Sequence, residues 1–146
     1  MNSLLSLALP KGKLFWEAKK LMLKAGYSEI ESVSDDDRQM IFTLPEAGIK
    51  IMIIRPTDVP VYVEHGAADI GIAGKDILLE KKCDVFELMD LGFGGCHFAL
   101  AVPEADAKDF VLQPNLRVAT KFPNISKTFL AGEKVHAEII ELHGAV

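Results

Sequence analysis

The sequence predicts an α/β protein built as two lobes, each around a largely parallel sheet. Three observations carry that prediction. Apolar runs of strand length alternate with stretches of helical periodicity along the chain. Between Ile51 and Glu80 the alternation completes two strand–turn–helix units. The first strand there ends at Arg55 and the turn Pro56-Thr57-Asp58, the second at Gly74-Lys75-Asp76. Finally, Leu91-Gly92-Phe93-Gly94-Gly95 clusters glycines between two apolar segments, which suits a crossover and sets the lobes at residues 1–92 and 93–146.

Taken in order, residues 3–9 read as an apolar strand. Residues 14–25 carry Leu14, Phe15, Ala18, Leu21, Met22 and Ala25 at helical spacing, and Gly26 closes that helix. The polar, acidic residues 29–37 read as a loop. Residues 40–44 and 49–54 form a hairpin through Pro45-Glu46-Ala47-Gly48. A helix over 59–65, a strand over 69–73, a helix over 75–81 and a short strand over 85–89 complete the first lobe. The second lobe opens with a strand over 96–102 and a polar surface excursion over 103–115. A strand over 116–119, a helix over 125–131 and a strand over 135–142 follow. His143-Gly144 then reads as the opening of another strand–turn–helix unit, so the chain is expected to be incomplete or its second lobe minimal.

The bulk properties bound the function. With 146 residues, 49% hydrophobic and 25% charged, the chain has the composition of an ordinary globular domain or two small lobes. A net charge of −5 and a pI near 5.3 give it no nucleic-acid footprint, so an anion site must be a local basic cluster. The apolar runs are far shorter than the roughly 20 residues of a membrane helix. MNSLLSLALPKGK lacks the positive start of a signal peptide and reads as a strand. Cys83 and Cys96 show neither metal spacing nor a redox pair, and His65, His97, His136 and His143 show no ligand spacing. The expectation is a cytoplasmic protein with reduced thiols, no protein-held metal, no nucleic acid and no membrane.

The chemistry concentrates where strands end. In open α/β sheets ligands bind at the carboxyl ends of the strands, beside helix N-termini that attract anions. Pro10-Lys11-Gly12-Lys13 follows the first strand; Gly12 permits close approach and the lysines supply charge, although two lysines in a turn are more often merely solvated. The tetrapeptide lacks the glycine spacing of a Walker loop. Arg38, after Asp35, Asp36 and Asp37, reads as an incidental arginine in a solvated loop or as a mobile guanidinium that closes on phosphate. Arg55, ending an apolar strand, must find an anion or water. It is a ligand contact or a structural bridge to Asp58 or Asp76. Lys75 stands at the corresponding turn. Thr120-Lys121-Phe122-Pro123-Asn124 repeats the pattern in the second lobe, with Asn124 a candidate helix cap. No nucleophile–base pair is evident. The implied chemistry is anion binding and electrostatic positioning.

LALPKGKL at 7–14, IIRPTDVPVYVEHGAADIGIAGKDILLE at 53–80 and RVATKFPN at 117–124 occur in one order and register. Together they resemble the ATP phosphoribosyltransferase family. The middle segment resembles its short catalytic form, which depends on a regulatory subunit related to histidyl-tRNA synthetase. The resemblance implies a two-lobed, periplasmic-binding-protein-like α/β fold with a cleft between the lobes. It implies the first reaction of histidine biosynthesis, in which N1 of ATP joins C1 of the ribose of phosphoribosyl pyrophosphate (PRPP) and pyrophosphate leaves, with Mg²⁺ on the phosphates. A homo-oligomer, a dimer, is expected. By position, Lys13, Arg38 and Arg55 match catalytic cations, and Lys11, Gly12, Gly74, Asp76, Thr120 and Lys121 match substrate-binding positions.

Departures accompany the resemblance. Many relatives carry arginine where Lys13 stands, and lysine keeps the charge but not the bidentate fork. Gln39 stands where relatives can carry a lysine. The family continues past the Gly-Ala-Val position with an acidic residue and a loop of the form Asp-x-x-x-Thr-Gly-x-Thr-Leu around the PRPP 5′-phosphate. The resemblance therefore implies that Met1–Val146 alone is inactive or nearly so, keeping weak nucleotide binding. Two alternatives stand beside the enzyme: a non-catalytic small-anion-binding module of two lobes, and an inactive fragment.

Overall fold

A computed structural model describes residues 4–36 and 38–143. Ser3, Asp37 and Gly144-Ala145-Val146 lie outside the described residues, and with them part of the expected first strand, of the acidic run and of the chain's end. The chain divides into two compact units, Met1–Gly95 and Cys96–Val146.

In the first unit, β1 (Leu5–Pro10) leads into α1 (Lys13–Lys24). A 3-10 helix at Ser28–Ser32 precedes the hairpin of β2 (Ile41–Leu44) and β3 (Ile49–Ile54). Then come α2 (Val59–Glu64), β4 (Ile70–Gly71) and α3 (Lys75–Lys81). The sheet order is β2-β3-β1-β4; β1 runs parallel to β3 and β4, and β2 is antiparallel to β3.

Side-chain alternation explains the layering. Leu7, Leu9, Ile49, Ile51 and Ile53 pack on one face with Phe15, Ala18 and Met22 of α1 and with Ile30 and Val33. Ala8 and Met52 point to the other face, against Val59 and Ala68. Helix α1 stops as its sequence suggests: Gly26, at φ +95°, donates to the Leu23 carbonyl and Tyr27 to that of Met22, which satisfies two carbonyls of the last turn.

The two-residue β4 is shorter than the expected 69–73. Its attachment is nonetheless specific. Asp69 Oδ2 accepts hydrogen bonds from the Ser6 amide at 2.7 Å and the Ser6 hydroxyl at 2.6 Å, while the Asp69 amide donates to Ser6 Oγ at 3.0 Å. The Ser6 side-chain and backbone hydrogen bonds lower the Asp69 pKa below its ordinary 3.8. A folded-state pKa below the unfolded value gives stability that is present above the unfolded value and lost as pH falls through the folded one. Amide protection at Asp69 and Ser6, measured relative to intrinsic exchange at each pH, is therefore expected to hold at neutral pH and to fall only below about pH 3.8. Protection that is flat from pH 5 to pH 2 would contradict this.

Gly71 marks a close approach between β4 and α2. A Cβ there would lie 2.6 Å from Val59 Cγ1 and 3.1 Å from Val63 Cγ2. Valine is stiff at χ1, so helix or strand must shift. Gly71→Ala is expected to cost about 1–2 kcal/mol in urea unfolding, the scale of overpacking. No loss of stability would show that α2 yields freely.

In the second unit, β5 (Leu116–Thr120) pairs in parallel with β6 (Ala137–Glu141), joined by α4 (Pro123–Gly132). Pro123 occupies the first turn, where its missing N–H costs nothing. Phe98 meets Phe122 edge to face at 5.0 Å.

Three expectations need correction. Residues 85–89 and 96–102 are not strands: neither pairs with a strand among the described residues, and Phe86, Leu88 and Met89 are 96%, 79% and 76% exposed. Apolar alternation is not enough without an edge to pair with. The expected solvated loop over 29–37 is not found over residues 29–35. The 3-10 helix buries Ile30, Val33 follows it inward, and Asp35 is 4% exposed.

Candidate functional site

The parallel pairing of β1 and β3 builds the site. Pro10 lies opposite Ile54, and the Lys11 amide donates to the Ile54 carbonyl at 2.8 Å. Lys11 and Arg55 therefore leave neighbouring strand ends, about 5 Å apart by the usual strand spacing. Both side chains are exposed, as is that of Lys13 at the start of α1. Three cations thus emerge from one edge of a sheet whose interior is apolar.

Gly12 holds φ +90° and ψ −151°, a backbone shape nearly confined to glycine. Its amide is not free for a phosphate: it donates to Asp35 Oδ2 at 2.7 Å. What Gly12 offers is the shape of the turn. Arg38 is exposed, in a segment held on both sides, by Asp35 on Gly12 and by the Met40 carbonyl, which accepts from the Ile53 amide at 2.8 Å. In sequence, Arg38 lies between a residue fixed at the end of β1 and one fixed beside the end of β3.

Of the bridges expected for Arg55, the one to Asp58 forms: Arg55 Nε lies 2.8 Å from Asp58 Oδ2, with the arginine side chain 82% exposed. Lys75 is paired with Glu87, both largely exposed. Exposed pairs of this kind are worth about 0–1 kcal/mol. A phosphate able to take a guanidinium in two parallel hydrogen bonds outcompetes such a partner, so the bridge to Asp58 does not close Arg55 to an anion.

Gly74 sits at the start of α3. The Asp76 carboxylate folds back over it: a Cβ on Gly74 would meet Asp76 Oδ1 at 2.3 Å. In the second unit, Thr120 Oγ1 accepts from the Phe122 amide at 3.0 Å and lies 3.5 Å from Ser126 Oγ, which orders the turn into α4. Lys121 in that turn is exposed. Asn124 lies inside the first turn of α4, after Pro123, and is not the residue that precedes the helix.

The structure thus gathers Lys11, Gly12, Lys13 and Arg55 at one sheet edge, with Arg38 on the segment beside it. It adds Asp35, whose role a sequence of three aspartates does not reveal. Two shallow concavities of about 410 and 480 Å³, one against Leu130 and Ile139 and the other against Glu29 and Thr43, contain none of these residues. Cys83 offers no nucleophile: burial pushes its thiol up, and the charge and hydrogen bond of Glu64 add to the effect. Cys83 and Cys96 are both free. The geometry of the described residues can bind and orient an anion.

Known proteins of one family resemble this chain. The family model described as ATP phosphoribosyltransferase matches residues 55–146. The ATP phosphoribosyltransferase of Moorella thermoacetica is 48% identical over 152 residues, covering 100% of this chain and 66% of the relative. That of Bacillus subtilis is 42% identical over 147 residues, covering 100% of this chain and 67% of the relative. The chain therefore spans about two thirds of the length of these relatives. A solved structure, the ATP phosphoribosyl transferase (HisG:HisZ) complex from Thermotoga maritima, matches with a TM-score of 0.67 at 29% identity, over 97% of this chain and 66% of that one. With a family match over more than half of its residues and relatives this similar along its whole length, the chain belongs to the ATP phosphoribosyltransferase family.

Proposed function

We propose that the protein containing this chain joins ATP to PRPP in the first step of histidine biosynthesis. The observation that carries the proposal is the register of β1 against β3, which sets Lys11 and Arg55 side by side at the strand ends. In the reaction a bond forms between adenine N1 and ribose C1. The bond from C1 to the pyrophosphate oxygen breaks, and pyrophosphate leaves with the electron pair. No enzyme nucleophile is required, consistent with a site made of exposed cations.

The cations act on the departing charge. Arg55 and Lys11 take the pyrophosphate oxygens as negative charge develops, and Lys13 and Arg38 complete the positive surround. Gly74 and Asp76 at the start of α3, and Thr120 and Lys121 in the second unit, are the further substrate-binding positions. Much of the acceleration comes from holding two bound reactants in line. Mg²⁺ enters with the substrate phosphates. Among the described residues no group of three or more His, Cys, Asp or Glu is arranged to hold a metal.

The solved relative is a HisG:HisZ complex, which supports a regulatory partner subunit for this chain as well. Free thiols support a cytoplasmic location. No helix among the described residues is long and apolar enough to cross a membrane.

The test is to assay the complete gene product with ATP, PRPP and Mg²⁺, with and without its regulatory subunit, for phosphoribosyl-ATP and pyrophosphate in equal amounts. Folded protein that binds pyrophosphate but forms no product in either condition would point to the anion-binding module instead.

A further inference from the structure

Asp35 is a carboxylate placed where carboxylates are rarely found. It is 4% exposed, and a buried charge is costly unless hydrogen-bonded or paired. Its Oδ2 accepts the Gly12 amide at 2.7 Å, inside the lysine turn at the end of β1. The segment that delivers it is firmly held. Ile30 and Val33 are buried just before it, and the Lys19 ammonium donates to the carbonyls of Glu31 and Val33 at 2.7 Å each. Just after it, Met40 is fastened to Ile53.

We infer that Asp35 is the positioning residue of the strand-end site: it fixes the Gly12 amide, hence the backbone from which Lys11 and Lys13 project, and ties the Arg38-bearing segment to the same turn. The inference rests on the phosphoribosyl-transfer reading for its kinetic consequence and on the Gly12 contact for its geometry. Asp35 need not touch substrate. It acts through the turn, because Gly12 at φ +90° has a shape that an unrestrained glycine would hold only part of the time. Without the carboxylate, the lysines and Arg38 are no longer held together before substrate arrives.

The experiment compares Asp35→Ala and Asp35→Asn with wild type in the complete gene product. Asparagine retains a carbonyl oxygen able to accept the Gly12 amide; alanine retains no acceptor. Expected for Asp35→Ala is a fall in kcat/KM for PRPP of about 10- to 30-fold, within the range for misplaced binding groups. Exchange of the Gly12 amide should rise with it. Asp35→Asn should recover most of both losses. If alanine prevents folding, Asp35→Leu fills the space without an acceptor and takes its place. Equal kinetics in folded wild type, Asp35→Asn and the acceptor-free variant would overturn the inference, as would an unchanged Gly12 exchange rate. Should wild type form no phosphoribosyl-ATP, the functional reading fails separately, and pyrophosphate affinity decides Asp35. An affinity lost without the acceptor and regained with asparagine supports its role; one equal in all three overturns it.

Discussion

If the proposed reaction holds, replacing Arg55 with alanine in the complete gene product is expected to lower kcat/KM for PRPP by about 2–3 kcal/mol, roughly 30- to 160-fold, the usual scale for losing one charged transition-state donor. Arg55 follows β3 directly, beside Lys11, and is 82% exposed despite its contact with Asp58. That exposure separates two explanations. A solvent-screened bridge is worth about 0–1 kcal/mol, so the variant should unfold at nearly the wild-type urea concentration. Arg55→Lys should recover only part of the loss, since it keeps the charge without the planar fork. Unchanged kinetics with a lowered unfolding midpoint would make Arg55 a structural bridge to Asp58 and nothing more.

Phe15→Ala should have the largest effect on stability. Phe15 is fully buried on α1, among Leu7, Leu9, Ile51 and Ile53, and meets the Trp16 ring edge to face at 5.3 Å. Removing such a ring costs about 3–5 kcal/mol through lost transfer energy and the cavity left behind. Against a typical total of 5–15 kcal/mol, that is enough to leave the variant partly unfolded at physiological temperature. The neighbouring Trp16, 43% exposed with the Lys19 ammonium 5.4 Å from its ring, should cost clearly less when replaced by alanine, about 1 kcal/mol. Urea unfolding of the two variants gives the comparison. Equal losses would show that the face of α1 turned to the sheet has been misassigned.

How much the sequence reveals depends on how locally each feature is determined. Helix α1 is legible because apolar spacing and Gly26 both act within one segment. So is the β2–β3 hairpin, where Gly48 at φ +67° allows the turn. Residues 85–89 and 96–102 mislead because a strand is a property of two segments, and alternation describes one. Among the site residues, Lys11 and Arg55 are legible as charges ending apolar runs. That they share an edge follows only from the pairing of β1 with β3, a contact between residues more than forty positions apart. Asp35 is hidden for the same reason. In an acidic run it looks solvated, and only the burial of Ile30 and Val33 turns it inward onto Gly12. Arg55 shows both readings at once: the bridge to Asp58 forms, and its exposure leaves the guanidinium available.

The central claim is that the carboxyl ends of β1 and β3 form a polyphosphate site, and titration of pyrophosphate into the complete gene product tests it most directly. Calorimetry gives the affinity of wild type, Lys11→Ala and Arg55→Ala, and backbone amide shifts locate the ligand. The account predicts saturable binding to wild type, shifts centred on residues 11–13 and 55, and an affinity reduced about tenfold or more in each variant, the scale of a lost charge-assisted hydrogen bond. Binding of equal strength in all three proteins, or shifts confined to other parts of the chain, would contradict it.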